Sequence, residues 1–183
     1  MYGFFEAVPA NCGLTFVVIS HSSPERPSLL TELLQPRSML VVSEIFDGQQ
    51  PAANHVYVPP SWAQVTLQEG VFRLTSCAGI RERSRRVDVF LTSMASAMRT
   101  HCAGVVLSGC GTDGSAGIEA VAAHGGLTLA QAPATAEESG MPCCAIATGQ
   151  VQQVDVVERM PALIAQHFRT LGLRSSTQRV EAS

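Results

Sequence analysis

The sequence predicts a three-layer, doubly wound α/β domain with a mainly parallel sheet and one inserted antiparallel hairpin. Three observations carry this prediction. The runs "LTFVVIS" (14–20) and "AGVVLS" (103–108) are continuously apolar and β-branched, as strands buried on both faces are. Runs of helical spacing alternate with such strands, the pattern of a parallel sheet covered by helices. Two further strand-like runs flank Glu69-Gly70, a two-residue turn that reads as a hairpin. The 183 residues make one domain, and a 46% hydrophobic content is enough to bury a sizeable core.

In chain order, "FFEAV" (4–8) reads as the last turns of a helix, stopped by Pro9. The strand 14–20 follows. "SLLTELL" (28–34) has helical spacing, with Ser28 as the N-cap after Pro27. "MLVVSEI" (39–45) is a second strand and "HVYV" a short one after a turn-rich stretch. The hairpin spans 63–68 and 71–75. "VDVFLTSMASAMRT" (87–100) is an amphipathic helix. Strand 103–108 enters a glycine-rich loop, and the helix "SAGIEAVAAHG" leaves it, stopped by Gly125-Gly126. "LTLAQ" (127–131) is a strand, "GMPCCAIATG" a short helical element, "VQQVDVV" an edge strand and "RMPALIAQHFRTL" (159–171) a closing helix. Residues 1–172 form the domain, and 173–183 read as a polar, disordered tail.

A net charge of −3 argues against nucleic acid as the main partner, because phosphate binding needs clustered Lys and Arg. One basic cluster, "RERSRR" (81–86), reads as a solvated loop or as a contact for an acidic partner. No signal peptide and no membrane-length apolar run is visible. Six cysteines include no C-x-x-C pair, and the adjacent Cys143 and Cys144 read as small buried hydrophobes. These features describe a reduced, cytoplasmic protein without a structural zinc site.

The loop "LSGCGTDGSAG" (107–117) admits three readings. It fits G-x-G-x-x-G through Gly109, Gly111 and Gly114, a weak dinucleotide fingerprint. That fingerprint wants an acidic residue at the end of the next strand, where Gln131 stands instead. Asp113 could instead cap the helix that follows, with Ser115 sharing the work. The third reading is catalytic. Asp113 lies beyond the strand 103–108 and His21 beyond the strand 14–20, so both face the carboxyl edge of a parallel sheet, where reactive groups gather. A histidine oriented by a carboxylate is the base half of a Ser-His-Asp hydrolase.

The stretches "FVVISHSSPERPSLLTELL", "DGQQPAANHVYVPP", "VVLSGCGTDGSAGIEAV" and "GGLTLAQAPATAEESGMPCCAIATG" together resemble the catalytic domain of the CheB-type protein-glutamate methylesterases of chemotaxis. The form fused to a methyltransferase in hybrid signalling proteins looks most similar. The resemblance spans residues 4–171, with the motifs in the same order. It implies an α/β domain that hydrolyses glutamate methyl esters on chemoreceptors, and deamidates receptor glutamines, by a Ser-His-Asp triad without metal or cofactor. The partners it implies are the cytoplasmic domain of a methyl-accepting chemoreceptor and fused or associated methyltransferase and kinase modules of a phosphorelay.

The resemblance places the family's histidine at His21 and its aspartate at Asp113. Gly109, Cys110 and Gly111 would line the oxyanion site, and the "GMP" segment falls on Gly140, Met141 and Pro142. The substrate side would hold Met141 and an arginine before "VD", with Arg83, Arg85 and Arg86 all in register range. The family's nucleophilic serine sits in "G-A-S-x-G-G" after its first strand. This sequence aligns from the helix after that turn, so the first strand and the nucleophile are expected to be missing. Ser20, Ser22 and Ser23 flank His21, but adjacent strand residues point to opposite faces. Two functions therefore stand side by side, a methylesterase domain and a non-catalytic receptor-binding remnant of the same fold.

Overall fold

The structure is a computed structural model that describes residues 1–21, 29–77 and 79–181. In chain order its elements are α1 (Tyr2–Glu6), β1 (Thr15–Val17), α2 (Leu30–Leu34), β2 (Val41–Glu44), β3 (His55–Val58), β4 (Ala63–Gln68), β5 (Val71–Ser76) and α3 (Ile80–Arg83). They continue as α4 (Arg86–Met98), β6 (Ala103–Val106), α5 (Ser115–Ala123), β7 (Leu127–Gln131), α6 (Gly140–Ala147), β8 (Gln153–Asp155) and α7 (Met160–Glu181).

Six strands are parallel, as the apolar runs predict, but they form two sheets of three. One has the order β1-β3-β2 and the other β6-β7-β8. Among the described residues, β1 and β6 each keep one unpaired edge. The hairpin β4–β5 stands apart as an antiparallel pair, and its Gln68↔Val71 register leaves Glu69-Gly70 as the turn. Both turn residues have positive φ, 51° and 78°, which matches the twist of a two-residue hairpin.

Strand alternation sorts the core into layers. Val56 and Val58 of β3 point to one face, where they pack with Phe4 and Phe5 of α1, Leu34 of α2, Leu129 of β7 and Met160 of α7. Tyr57 points to the other face and joins Val65, Phe72 and Phe90 under the hairpin. Beside it, Val87, Leu91 and Ala95 of α4 pack with Ile118 and Val121 of α5 and with Met141 and Ala145 of α6. One core therefore underlies both sheets, with helices on each face, which is the layered α/β architecture expected.

Several expectations change. Ser28, expected as an N-cap, lies outside the described residues; α2 has Leu29 at its N-cap position and no side-chain cap. The basic cluster is not a loop, because α3 and the start of α4 absorb it. Cys143 is exposed and Cys144 only half-buried, so neither is the core residue expected. They lie on an eight-residue helix that turns Met141, Pro142 and Ala145 inward instead. The backbone of α7 is helical through Glu181. No proline or further glycine follows Gly172 to stop it. No described helix is long and apolar enough to cross a membrane.

Candidate active site

The two sheets meet at their carboxyl edge through a side-chain pair. His21 follows β1 and Asp113 follows β6, and His21 Nε2 lies 2.8 Å from Asp113 Oδ2. The side chain of Asp113 is 3% exposed and that of His21 38%, so a buried carboxylate holds an imidazole that reaches solvent. The loop makes this possible through its glycines. Gly111 and Gly114 adopt φ of 91° and 95°, a backbone that side chains rarely tolerate, and so fold the chain tightly around Asp113.

Asp113 does cap a helix, but not the one that follows it. Its Oδ2 accepts the Val87 N–H at 3.0 Å and its Oδ1 the Asp88 N–H at 2.9 Å, both in the first turn of α4. Asp88 returns the arrangement. Its buried Oδ1 accepts the N–H groups of Gly114 and Gly117, each at 2.9 Å, at the start of α5. Two helices thus exchange carboxylates, and Ser115 takes no part, its hydroxyl being buried without a partner. The exchange also removes the dinucleotide reading a second time. The α5 amides that would cradle a phosphate already hold a carboxylate.

Burial alone would raise the Asp113 pKa. The His21 hydrogen bond, the two α4 amides and the positive side of the imidazole outweigh it, and hold the carboxyl below its ordinary value. An ionised carboxylate only accepts, so Nε2 of His21 carries a hydrogen, and in the neutral imidazole Nδ1 keeps the free lone pair. The proton-accepting atom of this histidine is therefore Nδ1. Among the described residues, no serine hydroxyl is placed against it. Ser108 Oγ accepts the Glu138 N–H at 2.9 Å instead.

Gln131, which counted against a dinucleotide site, locks the loop. Its Oε1 accepts the Ser108 N–H at 2.9 Å and its Nε2 donates to the Thr135 carbonyl at 2.9 Å. The Gly109 N–H is donated to the Glu138 carbonyl, and the Gly109 carbonyl accepts from Met141 N. Gly109 is therefore spent on structure and is not an open oxyanion donor; among the described residues no acceptor meets the N–H groups of Cys110 and Gly111. A side chain at Gly109 would run into the Met141 sulfur. Met141, expected on the substrate side, is buried and supports the loop from inside because its helix turns that face to the core. Cys110 is exposed; a hydrogen bond to Glu138 and its charge raise the thiol pKa, so it stays a weak nucleophile.

The three arginines separate. Arg85 is exposed and Arg83 half-buried, so both remain near the surface before α4. Arg86 is 2% exposed and is not a substrate contact. Its guanidinium donates to the carbonyls of Pro60 (3.0 Å), Ser61 (3.3 Å) and Ala63. Sequence reasoning missed Asp88, Gln131 and this role of Arg86. An acid in a helix's first turn was a readable sign of capping, but its partner loop lies 26 residues on.

The model of the family described as CheB methylesterase matches residues 1–164. This chain belongs to the CheB methylesterase family. Among similar proteins, a protein-glutamate methylesterase/protein-glutamine glutaminase of Anaeromyxobacter dehalogenans is 31% identical over 88% of the chain and 48% of its own length. One of Geobacter sulfurreducens is 33% identical over 87% of the chain and 44% of its own length. The chain therefore spans less than half of these relatives. The solved CheB methylesterase catalytic domain of Thermotoga maritima superposes with a TM-score of 0.83 at 27% identity, covering 90% of this chain and 89% of that one.

Proposed function

We propose that this chain supplies the general base and its orienting carboxylate for hydrolysis of glutamate methyl esters, and deamidation of glutamines, on chemoreceptor cytoplasmic domains. The observation that carries this is the His21–Asp113 bond at the shared carboxyl edge of two parallel sheets. In such a reaction a hydroxyl attacks the ester carbonyl while Nδ1 of His21 takes its proton. Asp113 holds the tautomer and stabilises the imidazolium. The N–H groups of Cys110 and Gly111 are the candidate oxyanion donors, each worth roughly 3–4 kcal/mol in comparable sites. His21 then returns the proton to the leaving methanol, and water releases the glutamate by the reverse steps.

No described serine stands against Nδ1, which favours a chain that binds receptor and does not turn it over by itself. Arg83 and Arg85 supply positive charge toward a glutamate-bearing substrate. The cytoplasm, and associated methyltransferase and kinase modules, complete this setting. The test combines receptor binding with methanol release from methylated receptor fragments. The chain is expected to bind while methanol stays at buffer background. Arg85→Glu should weaken binding about 3–5-fold, the size of one exposed charge contact. Failure to bind any receptor fragment would sink the receptor reading. Methanol release that His21→Ala abolishes would overturn the lack of a nucleophile.

A further inference from the structure

Arg86 spends a buried charge on a turn that carries none of the catalytic groups. Its guanidinium grips three carbonyls of residues 60–63, the link between β3 and β4, and Gln64 Nε2 holds its own carbonyl at 3.3 Å. Such a fork fixes direction as well as distance, because planar donors must meet several acceptors at once. The residue it fixes is the first of α4. The next two, Val87 and Asp88, present the amides that hold Asp113. Asp88 also carries the carboxylate that closes the α5 terminus on Gly114.

We propose that Arg86 is a positioning residue for the His21–Asp113 pair, bolting the start of α4 to the 60–63 turn so that the Val87 and Asp88 amides stay aimed at the Asp113 carboxylate. Displacing this first turn would leave Asp113 with His21 as its remaining partner, free to rotate and carry the imidazole with it. Lysine keeps the charge but offers a single ammonium, which cannot reproduce the fork over three carbonyls. The 60–63 turn is thus coupled to the histidine through one helix start, although no residue of that turn bonds either catalytic group.

The inference rests on reading His21 and Asp113 as base and orienter, so its test reads the histidine and not turnover. Nitrogen-15 NMR of the full chain reports which imidazole nitrogen of His21 carries the hydrogen, and hydrogen exchange reports the Val87 and Asp88 amides. In Arg86→Lys the His21 signals should move toward those of Asp113→Asn, and the two amides should exchange about tenfold faster. Gln64→Ala, which loosens the Arg86 backbone and spares the guanidinium, should give the same change in smaller size, and it decides the matter should Arg86→Lys not fold. Val65→Ala, a buried change in the hairpin, should lower stability without moving the His21 signals. His21 signals at wild-type positions in both Arg86→Lys and Gln64→Ala would overturn the proposal. An equal shift in Val65→Ala would also overturn it, because the effect would then be general softening. Failure to bind receptor fragments with intact Arg86 coupling would count against the receptor reading alone.

Discussion

Asp113 binds a histidine on one side and a helix start on the other with the same two oxygens. Its charge therefore contributes to folding as well as to the site. Asp113→Asn should cost about 1.5–3 kcal/mol at neutral pH, the range for hydrogen bonds to a charged group. The sign with pH follows from the depressed pKa. Relative to the unfolded chain, whose carboxyl titrates near 3.8, the stabilisation is fully present above that value. It is lost as pH falls below 3.8 through the folded value. Urea denaturation at about pH 7 and about pH 3 should show the gap between wild type and Asp113→Asn closing in acid. At this scale the sequence announced His21 and Asp113 because each follows a readable strand. It could not announce Arg86, because an arginine in "RSRR" looks like any solvated cation until the 60–63 carbonyls converge on it.

The site is held by contacts between elements, above all those of α4 with α5. Gly117 lies where these helices touch, and a β-carbon there would sit 2.7 Å from Leu91 Cβ. Gly117→Ala should therefore destabilise by about 1–3 kcal/mol through overpacking. It should also disturb the Asp88–Gly117 bond, visible as faster exchange of the α5 amides. The hairpin offers a change of opposite sign. Glu69 holds φ of 51° without being glycine or asparagine. Glu69→Asn should stabilise by up to about 1 kcal/mol, read as a higher Tm, because asparagine tolerates that backbone better. Strands and hairpin were legible because burial pattern and turn chemistry are local. The short helix over 80–83 was not, since charge pattern alone does not separate a helix from a loop.

Across the whole molecule, two three-stranded parallel sheets share one core and meet through His21 and Asp113. The layered α/β class was readable from the alternation of apolar runs. The division into two sheets was not, because strand order is set by non-local pairing. An ionised Asp113 fixes the Nε2–H form of His21 and leaves Nδ1 to receive a proton. Nitrogen-15 NMR of His21 at neutral pH, in the wild-type chain and in Asp113→Asn, tests this directly. The wild type is expected to show a protonated Nε2 and a bare Nδ1, and the variant a mixture of forms. Identical His21 spectra in the two proteins, or a wild-type hydrogen resident on Nδ1, would contradict it.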